Sequence, residues 1–349
     1  MLGIIMAGGQ GSRLMPLTRT RPKPMVELLG RPVIDFVKDA MVEAGATDIV
    51  VTTGYRGEQL ETHVASWNQS GLNASVNQES TPMGTAGSVG LLRDRITGTV
   101  IVGSGDAVAS FDVGALVEAH RSHGAKVTMA LWEVDDPSEF GIVGLSATPA
   151  GEVDGDLRSG FIRRFLEKPA PEEAFSNVIN AGLYVLEPEV FEHVPVGEKF
   201  DFSKQLFPRL LAMGWPMYAQ TINGVWFDVG QPSELLNAQA ALLERRDELP
   251  FALEDGATIV SNSVLAHGVQ VAGELQSSYL GVGCSVAAGA EVRGSLLMGG
   301  TPVPPGCVIR DSVIGTNVVL SPGTRLNACV VGDDECLKSG AFDSQRIPT

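Results

Sequence analysis

The sequence has few cysteines and no long apolar run. The four cysteines, at positions 284, 307, 329 and 336, show no paired Cys-x-x-Cys spacing. This number and arrangement suit reduced thiols in a cytoplasmic protein. No uncharged apolar stretch approaches the ~20 residues of a membrane-spanning helix, and the first residues lack the basic region of a signal peptide. We therefore expect a cytoplasmic protein without a membrane segment.

Positive charge is also scarce. The chain carries 25 Lys and Arg against 41 Asp and Glu, a formal net charge of −16. Such a balance argues against binding to nucleic acid, and the overall field repels an anionic substrate. One segment departs from this balance: against the single acid Glu27 it carries Arg13, Arg19, Arg21, Lys23 and Arg31. Because prolines interrupt this segment, a loop facing phosphate is a better interpretation than a basic helix face.

A glycine-rich loop precedes these cations. The apolar run from Leu2 to Met6 predicts a strand, and Met6-Ala-Gly-Gly-Gln-Gly-Ser-Arg13 follows it directly. Glycines at 8, 9 and 11 allow backbone N–H groups to converge on an anion, and Arg13 and Lys23 add a guanidinium and an ammonium group.

Two other glycine loops are excluded by spacing. Position 14 is leucine where a dinucleotide loop needs glycine, and no Gly-Lys-Ser/Thr run of a Walker A loop occurs. An ordinary tight turn remains the alternative for the glycines alone. With its cations, the segment predicts a site for a nucleoside triphosphate.

The 349 residues suggest two domains. Up to about residue 249, apolar strands at 2–6, 48–53, 99–102 and 127–132 alternate with helical patterns at 32–44, 113–123 and 231–247. This alternation predicts an α/β domain over residues 1–249, a Rossmann-like, mostly parallel sheet with helices on both faces. Ligands of such sheets lie at the carboxyl ends of the strands, where the glycine loop falls.

A six-residue period begins after position 250. Aliphatic residues recur in three series: Ile259, Leu265, Val271; Leu280, Val286, Val292, Met298; and Val308, Ile314, Leu320, Leu326. The period favours a hexapeptide β-helix of about four coils over a β-sandwich, whose strands would alternate with period two. Residues 250–349 are therefore predicted to form a short β-helix with a C-terminal tail. We expect it to mediate homo-oligomerisation, and a chain ending near residue 249 to fold but associate less. An acyltransferase role is the alternative.

The glycine loop with Pro22-Lys-Pro24 begins a series of seven motifs. It is followed by Gly84-Thr-Ala-Gly87, Gly105-Asp106, Phe140-Gly-Ile-Val143, Glu167-Lys-Pro169, Asn180-Ala-Gly182 and Trp226-Phe-Asp-Val-Gly230. In this order the motifs resemble those of the sugar-1-phosphate nucleotidyltransferases. Together they cover about the first 245 residues. Within the family the likeness is closest to mannose-1-phosphate guanylyltransferases, then to glucose-1-phosphate thymidylyltransferases. Several members of the family carry a C-terminal left-handed β-helix.

The resemblance implies a role for each matched residue. The catalytic group comprises Arg13, Lys23, Asp106 and Asp228, the last two as Mg²⁺ ligands. The nucleotide-binding group comprises Ala7, Gly8, Gly9, Gly11, Ser12, Gln78, Glu79, Gly84 and Thr85. The group that binds the sugar phosphate comprises Gly141, Glu167, Lys168, Asn180 and Gly182.

Structural roles are the alternatives for several of these residues. An Asx-turn could explain Asp106, a helix cap Asp228, and an exposed strand end Glu167 with Lys168. The family usually has Leu-Asn before Gly-Asp, whereas this chain has Gly103-Ser104, which bears on local backbone contacts more than on the metal.

The implied reaction needs no general base. A sugar-1-phosphate oxygen attacks the α-phosphorus of a nucleoside triphosphate and expels pyrophosphate. Because the second pKa of a phosphomonoester is ~6, the attacking group is already an anion near neutral pH. Catalysis therefore calls for positioning, cations and Mg²⁺. A catalytically silent nucleotide-sugar sensor is an alternative, disfavoured because all four catalytic candidates are present.

The choice of base depends on the segment before Gly84. Thymidylyltransferases of the family commonly carry Gln five residues before this glycine, whereas this chain has Glu79 there and Gln78 one place earlier. An ionised carboxylate only accepts hydrogen bonds, and guanine offers two adjacent donors. This favours GTP, and a one-residue slip of register would favour dTTP instead.

Overall fold

The computed structural model describes residues 1–54, 57–110, 112–245 and 251–348. The chain forms two compact units, Met1–Gly9 with Phe36–Trp226 and Gln10–Asp35 with Phe227–Thr349. The predicted boundary at 249/250 and the end of the predicted helix 231–247 lie outside the described residues. The units group residues 10–35 with the region of the hexapeptide period.

The part before residue 246 alternates strands and helices as predicted. The strands are β1 Leu2–Met6, β2 Glu27–Leu28, β3 Arg31–Pro32, β4 Asp48–Thr53, β5 Asn73–Gln78, β6 Val100–Ser104, β7 Ala107–Ser110, β8 Val127–Glu133, β9 Gly141–Ser146, β10 Ser159–Glu167, β11 Val178–Leu186, β12 Met217–Thr221 and β13 Val225–Asp228. The helices are α1 Ile34–Glu43, α2 Gly57–Trp67, α3 Gly84–Gly90, α4 Val113–Ser122, α5 Phe207–Ala212 and α6 Pro232–Glu244.

The first unit is built on a nine-stranded sheet with the order β5-β4-β1-β6-β11-β8-β12-β10-β9. β5, β4, β1 and β6 are parallel, while β10 and β11 run opposite to the other strands. This confirms the Rossmann-like α/β fold and adds antiparallel strands in the second half of the sheet. Apolar strand residues such as Ile4, Val50 and Val102 are fully buried in one core, so the carboxyl ends of the parallel strands are left for polar residues.

The second unit contains a β-helix of short strands. They are β14 Thr258–Val260, β15 Ser263–Leu265, β16 Gln270–Val271, β17 Glu274–Gln276, β18 Tyr279–Leu280, β19 Ser285–Val286, β20 Glu291–Arg293, β21 Leu296–Gly299, β22 Pro302–Val303, β23 Val308–Arg310, β24 Val313–Thr316, β25 Val319–Leu320, β26 Arg325–Asn327, β27 Val330–Val331, β28 Cys336–Leu337, β29 Ala341–Asp343 and β30 Arg346–Ile347.

Strands of successive coils stack in parallel. Tyr279 pairs with Leu296 and Leu296 with Val313, a step of one coil each. One face orders the strands β15-β18-β21-β24-β27-β30 behind the antiparallel β14. This confirms the left-handed β-helix, and it corrects the expected four coils, because the strands continue to Ile347.

The six-residue period locates the interior only in part. Leu280, Val292 and Ile314 are fully buried, as predicted, whereas Ile259 is 41% exposed and Val308 is only partly buried. Ile309, one place later, is fully buried. Val292 pairs with Ile309 and Leu297 with Ile314, seventeen residues further on in each case, so a strict period of six, which gives eighteen over three strands, falls out of step with the coils.

A ladder of buried serines runs along the β-helix. The backbone N–H of Ser295 donates to Oγ of Ser278 at 3.1 Å, and that of Ser312 donates to Oγ of Ser295 at 3.1 Å. The same hydroxyls donate to backbone carbonyls within their own coils, as Ser295 does to Arg293 at 2.7 Å. These side chains satisfy backbone groups that the turns would otherwise leave buried without partners.

None of the helices in the described ranges is both long and apolar enough to cross a bilayer.

Candidate active site

The glycine loop begins where β1 ends, as predicted. The buried Ala7 donates its N–H to the carbonyl of Thr52 on β4 at 2.8 Å, whereas Gly8 and Gly9 are exposed. The carbonyl of Met6 accepts the N–H of Gly105 at 2.8 Å. The turn that carries Asp106 therefore lies beside the start of the glycine loop.

Asp106 follows β6 directly. Its Oδ1 atom accepts a hydrogen bond from the Ser104 hydroxyl at 2.5 Å. Ser104 thus orients the carboxylate from the position where the family usually has asparagine. A Cβ atom at Gly182 would lie 3.4 Å from Cβ of Ser104, so the Asn180–Gly182 motif reaches the same end of β6.

Glu79 is almost buried and holds its own loop. One carboxylate oxygen accepts the backbone N–H of Met83 at 3.0 Å, and the other accepts the Ser88 hydroxyl. A Cβ atom at Gly8 would lie 3.8 Å from Oε1 of Glu79. The carboxylate therefore lies close to the glycine loop. Gln78, at the end of β5, is exposed.

Thr85 links the start of α3 to a later loop. Its hydroxyl donates to Oδ2 of Asp201 at 2.9 Å and accepts the N–H of Phe202 at 2.9 Å. Gly84, with φ +73°, precedes it, and a Cβ atom there would lie 2.6 Å from the carbonyl oxygen of Phe200. These contacts give Thr85 a structural role, and its contact with nucleotide remains a prediction.

Glu167 ends β10 in a partly buried position. Burial raises the pKa of its carboxyl group, and the negative charge of Asp201 raises it further. A Cβ atom at Gly141 would lie 2.7 Å from Oε2 of Glu167, so a larger residue here would require the carboxyl group to shift. The next residue, Lys168, is exposed and pairs with Glu139 at 3.1 Å. This exposed, weakly held ammonium can exchange its partner for a phosphate.

Asn180 lies at the centre of a side-chain network on β11. Its amide nitrogen donates to the Tyr184 hydroxyl at 2.9 Å and to the Ser203 hydroxyl at 3.1 Å. Its oxygen accepts the N–H of Gly182 at 3.0 Å. The indole of Trp226 donates to the carbonyl of Ala181 at 2.8 Å. The motif is therefore held by bonds to Asn180 and to Ala181.

The second unit contains the rest of the glycine loop and the Pro22-Lys-Pro24 motif. Gly11 has φ +65°, and a Cβ atom there would lie 2.8 Å from Cβ of Lys23. Glycine is therefore required both by the backbone conformation and by the approach of Lys23. Thr18 donates its hydroxyl to the Gly11 carbonyl at 2.8 Å. Ser12 is exposed and begins a short 3₁₀ turn.

Two predicted catalytic cations meet a predicted carboxylate in this unit. Nζ of Lys23 lies 3.4 Å from Oδ1 of Asp228, and the Lys23 side chain is only 9% exposed. A Cβ atom at Gly230 would lie 3.0 Å from Nη2 of Arg13 and 3.5 Å from Oδ2 of Asp228. Arg13, Lys23 and Asp228 therefore form one charged cluster.

The basic segment does not face phosphate as a whole. Nη2 of Arg21 pairs with Asp333 at 2.6 Å, and Arg31 lies over the Phe251 ring and donates to the carbonyl of Asp35. The prediction that the whole segment faces phosphate is wrong at Arg21, whose charge pairs with Asp333, whereas for Arg31 it stays a prediction. Arg13 and Lys23 remain the candidates for phosphate.

Asp106 and Asp228 fit the donor chemistry of Mg²⁺. Magnesium at phosphate sites is bound through one or two carboxylates, with phosphates and water as further ligands. The described residues contain no group of three or more His, Cys, Asp or Glu side chains that could hold a metal. Asp106 beside the glycine loop and Asp228 beside Lys23 are each placed next to a predicted phosphate-binding group.

Sequence reasoning missed several residues that shape the site. Asp201 caps the turn before α5, accepting the N–H groups of Ser203 and Lys204, and it also binds Thr85. Its only sequence signal was an acidic residue before an apolar helical pattern. Asp333 lies 312 positions from Arg21, and no local pattern could have joined them.

Comparisons with known proteins agree with the fold. The profile of a family described as "Nucleotidyl transferase" matches residues 2–245, and one described as "GlmU-like, C-terminal hexapeptide" matches residues 250–340. A putative glucose-1-phosphate thymidylyltransferase of Bacillus anthracis, solved in complex with a sucrose, superposes with a TM-score of 0.60 at 24% identity. That match covers 69% of this chain and 95% of the other.

Curated relatives are more similar in sequence. The mannose-1-phosphate guanyltransferase of Saccharomyces cerevisiae is 35% identical over 270 residues, covering 76% of this chain and 71% of the relative. The mannose-1-phosphate guanylyltransferase catalytic subunit beta of Danio rerio is 32% identical over 279 residues, covering 78% of this chain and 73% of the relative.

Proposed function

Because the chain belongs to the nucleotidyl transferase family, we propose that it transfers a guanylyl group from GTP to mannose 1-phosphate, giving GDP-mannose and pyrophosphate. The observation that carries this proposal is the placement of Asp106 beside the glycine loop, through the bond from Gly105 to Met6. A carboxylate beside a phosphate-binding loop is the arrangement that nucleotide chemistry requires. The names of the relatives support guanine and mannose.

The chain's own residues would divide the work between the phosphates. The exposed N–H groups of Gly8 and Gly9 would cradle the triphosphate, and Arg13 would offset the charge that develops on the departing pyrophosphate. Lys23 would hold Asp228 in place, and its ammonium group would help to offset the charge on the departing pyrophosphate. We propose Asp106 and Asp228 as ligands of Mg²⁺, which when bound neutralises phosphate charge in the transition state.

The sugar 1-phosphate would bind at the ends of β10 and β11. The carboxylate of Glu167 would accept hydrogen bonds from vicinal sugar hydroxyls, and Lys168 would leave Glu139 for the phosphate. Asn180, held by Tyr184 and Ser203, would present its polar atoms to the ring in a fixed orientation. The attacking phosphate oxygen needs no base, so these groups only bind and orient the substrate.

GTP is favoured because Glu79 is an acceptor beside the glycine loop. Its carboxylate already accepts bonds from Met83 and Ser88, and each carboxylate oxygen can accept a second bond. A pair of guanine donors would complete that set. The second candidate is transfer to glucose 1-phosphate from dTTP, which the structural relative from B. anthracis supports by its name.

A matrix of nucleoside triphosphates against sugar 1-phosphates tests the proposal. We expect release of pyrophosphate in the presence of Mg²⁺ to be fastest for GTP with mannose 1-phosphate. Faster turnover of dTTP with glucose 1-phosphate would favour the second candidate. Binding of nucleotide sugars without turnover of any pair would instead favour a silent sensor.

We propose further that the protein works in the cytoplasm as a homo-oligomer. All four cysteines are free thiols, and three are buried in the β-helix. Val282 and Val319 on that β-helix are 59% and 58% exposed, and burial against another copy would remove this apolar surface from water. Light scattering at several concentrations would give the oligomeric state.

A further inference from the structure

The loop that carries Arg13 and Lys23 is fastened to the end of the β-helix. Between residues 10 and 25 this loop forms only the 3₁₀ turns Ser12–Leu14, Leu17–Arg19 and Lys23–Met25. Nη1 of Arg346 donates to the carbonyl of Arg13 at 2.6 Å and to that of Met15 at 2.9 Å. One guanidinium therefore binds the backbone on both sides of Leu14.

A second attachment lies further along the same loop. Asp333 accepts hydrogen bonds from Nη2 of Arg21 at 2.6 Å, from the Thr20 hydroxyl, and from the N–H of Thr316 at 2.7 Å. The side chains of Arg21 and Asp333 are 15% and 6% exposed. Burial alone would raise the pKa of Asp333, but these bonds and the charge of Arg21 lower it, so the carboxyl group of Asp333 is ionised at neutral pH.

The two attachments lie at neighbouring strands on one face of the β-helix. Gly332 follows β27, Arg346 lies in β30, and the N–H of Gly332 donates to the carbonyl of Ile347 at 2.7 Å. A Cβ atom at Gly332 would lie 3.2 Å from Cβ of Pro16. The loop is thus held by a guanidinium, a carboxylate and a proline contact, all within the second unit.

We propose that the last coils of the β-helix position the phosphate-binding loop, with Arg346 and Asp333 as positioning residues for Arg13 and Lys23. The inference rests on the proposed function and extends it. Arg346 fixes the backbone of Arg13, whose guanidinium lies against Gly230 beside Asp228. Asp333 fixes Arg21, two residues before Lys23. Cations fixed before substrate binds lose little freedom on binding and meet the transition state in the correct geometry.

Substitution of Arg346 tests the proposal with two separate readouts. For Arg346→Ala we expect the affinity for inorganic pyrophosphate, measured by calorimetry with Mg²⁺, and kcat with GTP each to fall about tenfold or more. The KM for the sugar 1-phosphate should change less than about twofold, because β10 and β11 lie in the other unit. A uniform loss in all three parameters would indicate general destabilisation and overturn the positioning role.

Matched variants separate positioning from folding. Arg310→Ala removes an exposed guanidinium of the same β-helix that pairs with Glu291, and it should leave pyrophosphate affinity unchanged. Arg346→Lys keeps a cationic donor and should recover part of the affinity. Asp333→Asn should weaken pyrophosphate binding in an Arg346 wild-type background. If Arg346→Ala does not fold, the Lys and Asn variants decide, and wild-type affinity in both would overturn the proposal.

The same measurements distinguish this inference from the proposed reaction. Weakened pyrophosphate binding in the Arg346 and Asp333 variants, with no turnover of any sugar 1-phosphate by the wild-type protein, would uphold the positioning role and refute the reaction. Normal wild-type turnover with unchanged pyrophosphate binding and kcat in all variants would do the opposite.

Discussion

The two units hold their candidate residues by different means. In the first unit, the ends of long, buried strands place Asp106, Glu167 and Asn180, and short-range side-chain bonds then orient them. In the second unit, Arg13 and Lys23 lie on a loop without strands, and contacts with Asp333 and Arg346, more than 300 positions away, hold that loop. The candidates for sugar recognition thus depend on a sheet, whereas the candidate phosphate-binding cations depend on a β-helix.

Removal of the β-helix should have the largest effect. The sequence predicts that a chain ending at Leu249 folds but associates less. In such a chain the loop that carries Arg13 and Lys23 would also lose its attachments to Asp333 and Arg346. We expect turnover to fall by at least about 100-fold, with a smaller particle in light scattering. Full activity in a monomeric truncated chain would show that the loop needs no β-helix.

Substitution of one metal-binding candidate in each unit should have the next largest effect. Asp106→Asn and Asp228→Asn each remove a charge without changing volume, so we expect cooperative unfolding to persist and turnover to fall on the order of 1000-fold. Asp94→Asn, on an exposed turn, is the control for a general charge effect. Near-normal activity of both variants would refute the metal assignment.

The substitution Glu167→Gln tests sugar binding in the first unit separately. Because the variant loses a charged acceptor, we expect the KM for the sugar 1-phosphate to rise by about 10- to 100-fold, with little change in pyrophosphate affinity. Glu172→Gln, an exposed neighbour, should leave both parameters unchanged. An unchanged KM in Glu167→Gln would place the sugar elsewhere.

The difference in stability between Glu167→Gln and the wild-type protein should depend on pH. The pKa of Glu167 is raised in the folded state by burial and then by Asp201, so its ionised form is disfavoured there. The protonated carboxyl group of Glu167 therefore contributes to the stability of the folded state. This contribution is fully present below the unfolded pKa and is lost as pH rises through the folded pKa. We therefore expect Glu167→Gln to melt slightly higher than wild type at pH 7 and equally near pH 4.

The choice of base tests whether Glu79, which holds a loop of the first unit, also contacts the nucleotide. We expect Glu79→Gln to narrow the preference for GTP over dTTP by about 1–3 kcal/mol. Ser88→Ala removes one partner of Glu79 but keeps the carboxylate, and it should narrow the preference less. Equal effects of both substitutions would mean that Glu79 acts only by holding its loop.

The smallest effect concerns the interior of the β-helix. Ser295→Ala would leave the N–H of Ser312 without its acceptor in a buried position, so we expect a loss of about 1–3 kcal/mol in the free energy of unfolding. Ser339→Ala, at an exposed serine of the same β-helix, should change it by less than about 0.5 kcal/mol. Chemical denaturation of the full chain measures both.

Particular residues show how far the sequence predicts this protein. The strand 48–53 and the helix at 113–123 correspond closely to β4 and α4, since their apolar patterns reflect which face each element buries. Val308 shows the limit. The six-residue period predicts it inside, but successive coils pair at seventeen residues rather than eighteen, as Val292 does with Ile309, and Ile309 takes that place.

The basic segment shows the same limit in the site. Arg13 and Arg21 lie in one loop with similar neighbours, yet Arg13 lies against Gly230, beside Asp228, and Arg21 pairs with Asp333. Nothing local distinguishes them, because the difference arises from which part of the second unit each meets. Glu79 likewise is the residue that the sequence predicts to contact the base, and that contact stays a prediction, whereas its bonds to Met83 and Ser88 depend on how α3 packs.

The sequence by itself determined the class of both folds and the residues at the ends of strands, since periodicity and strand order place those residues whatever the distant packing. Only the tertiary structure decided which residue each cation of the basic segment meets and what holds the loop that carries them. Ion pairs such as Arg21 with Asp333 form between residues that the folded backbone brings together, and their charge is used there before a substrate arrives.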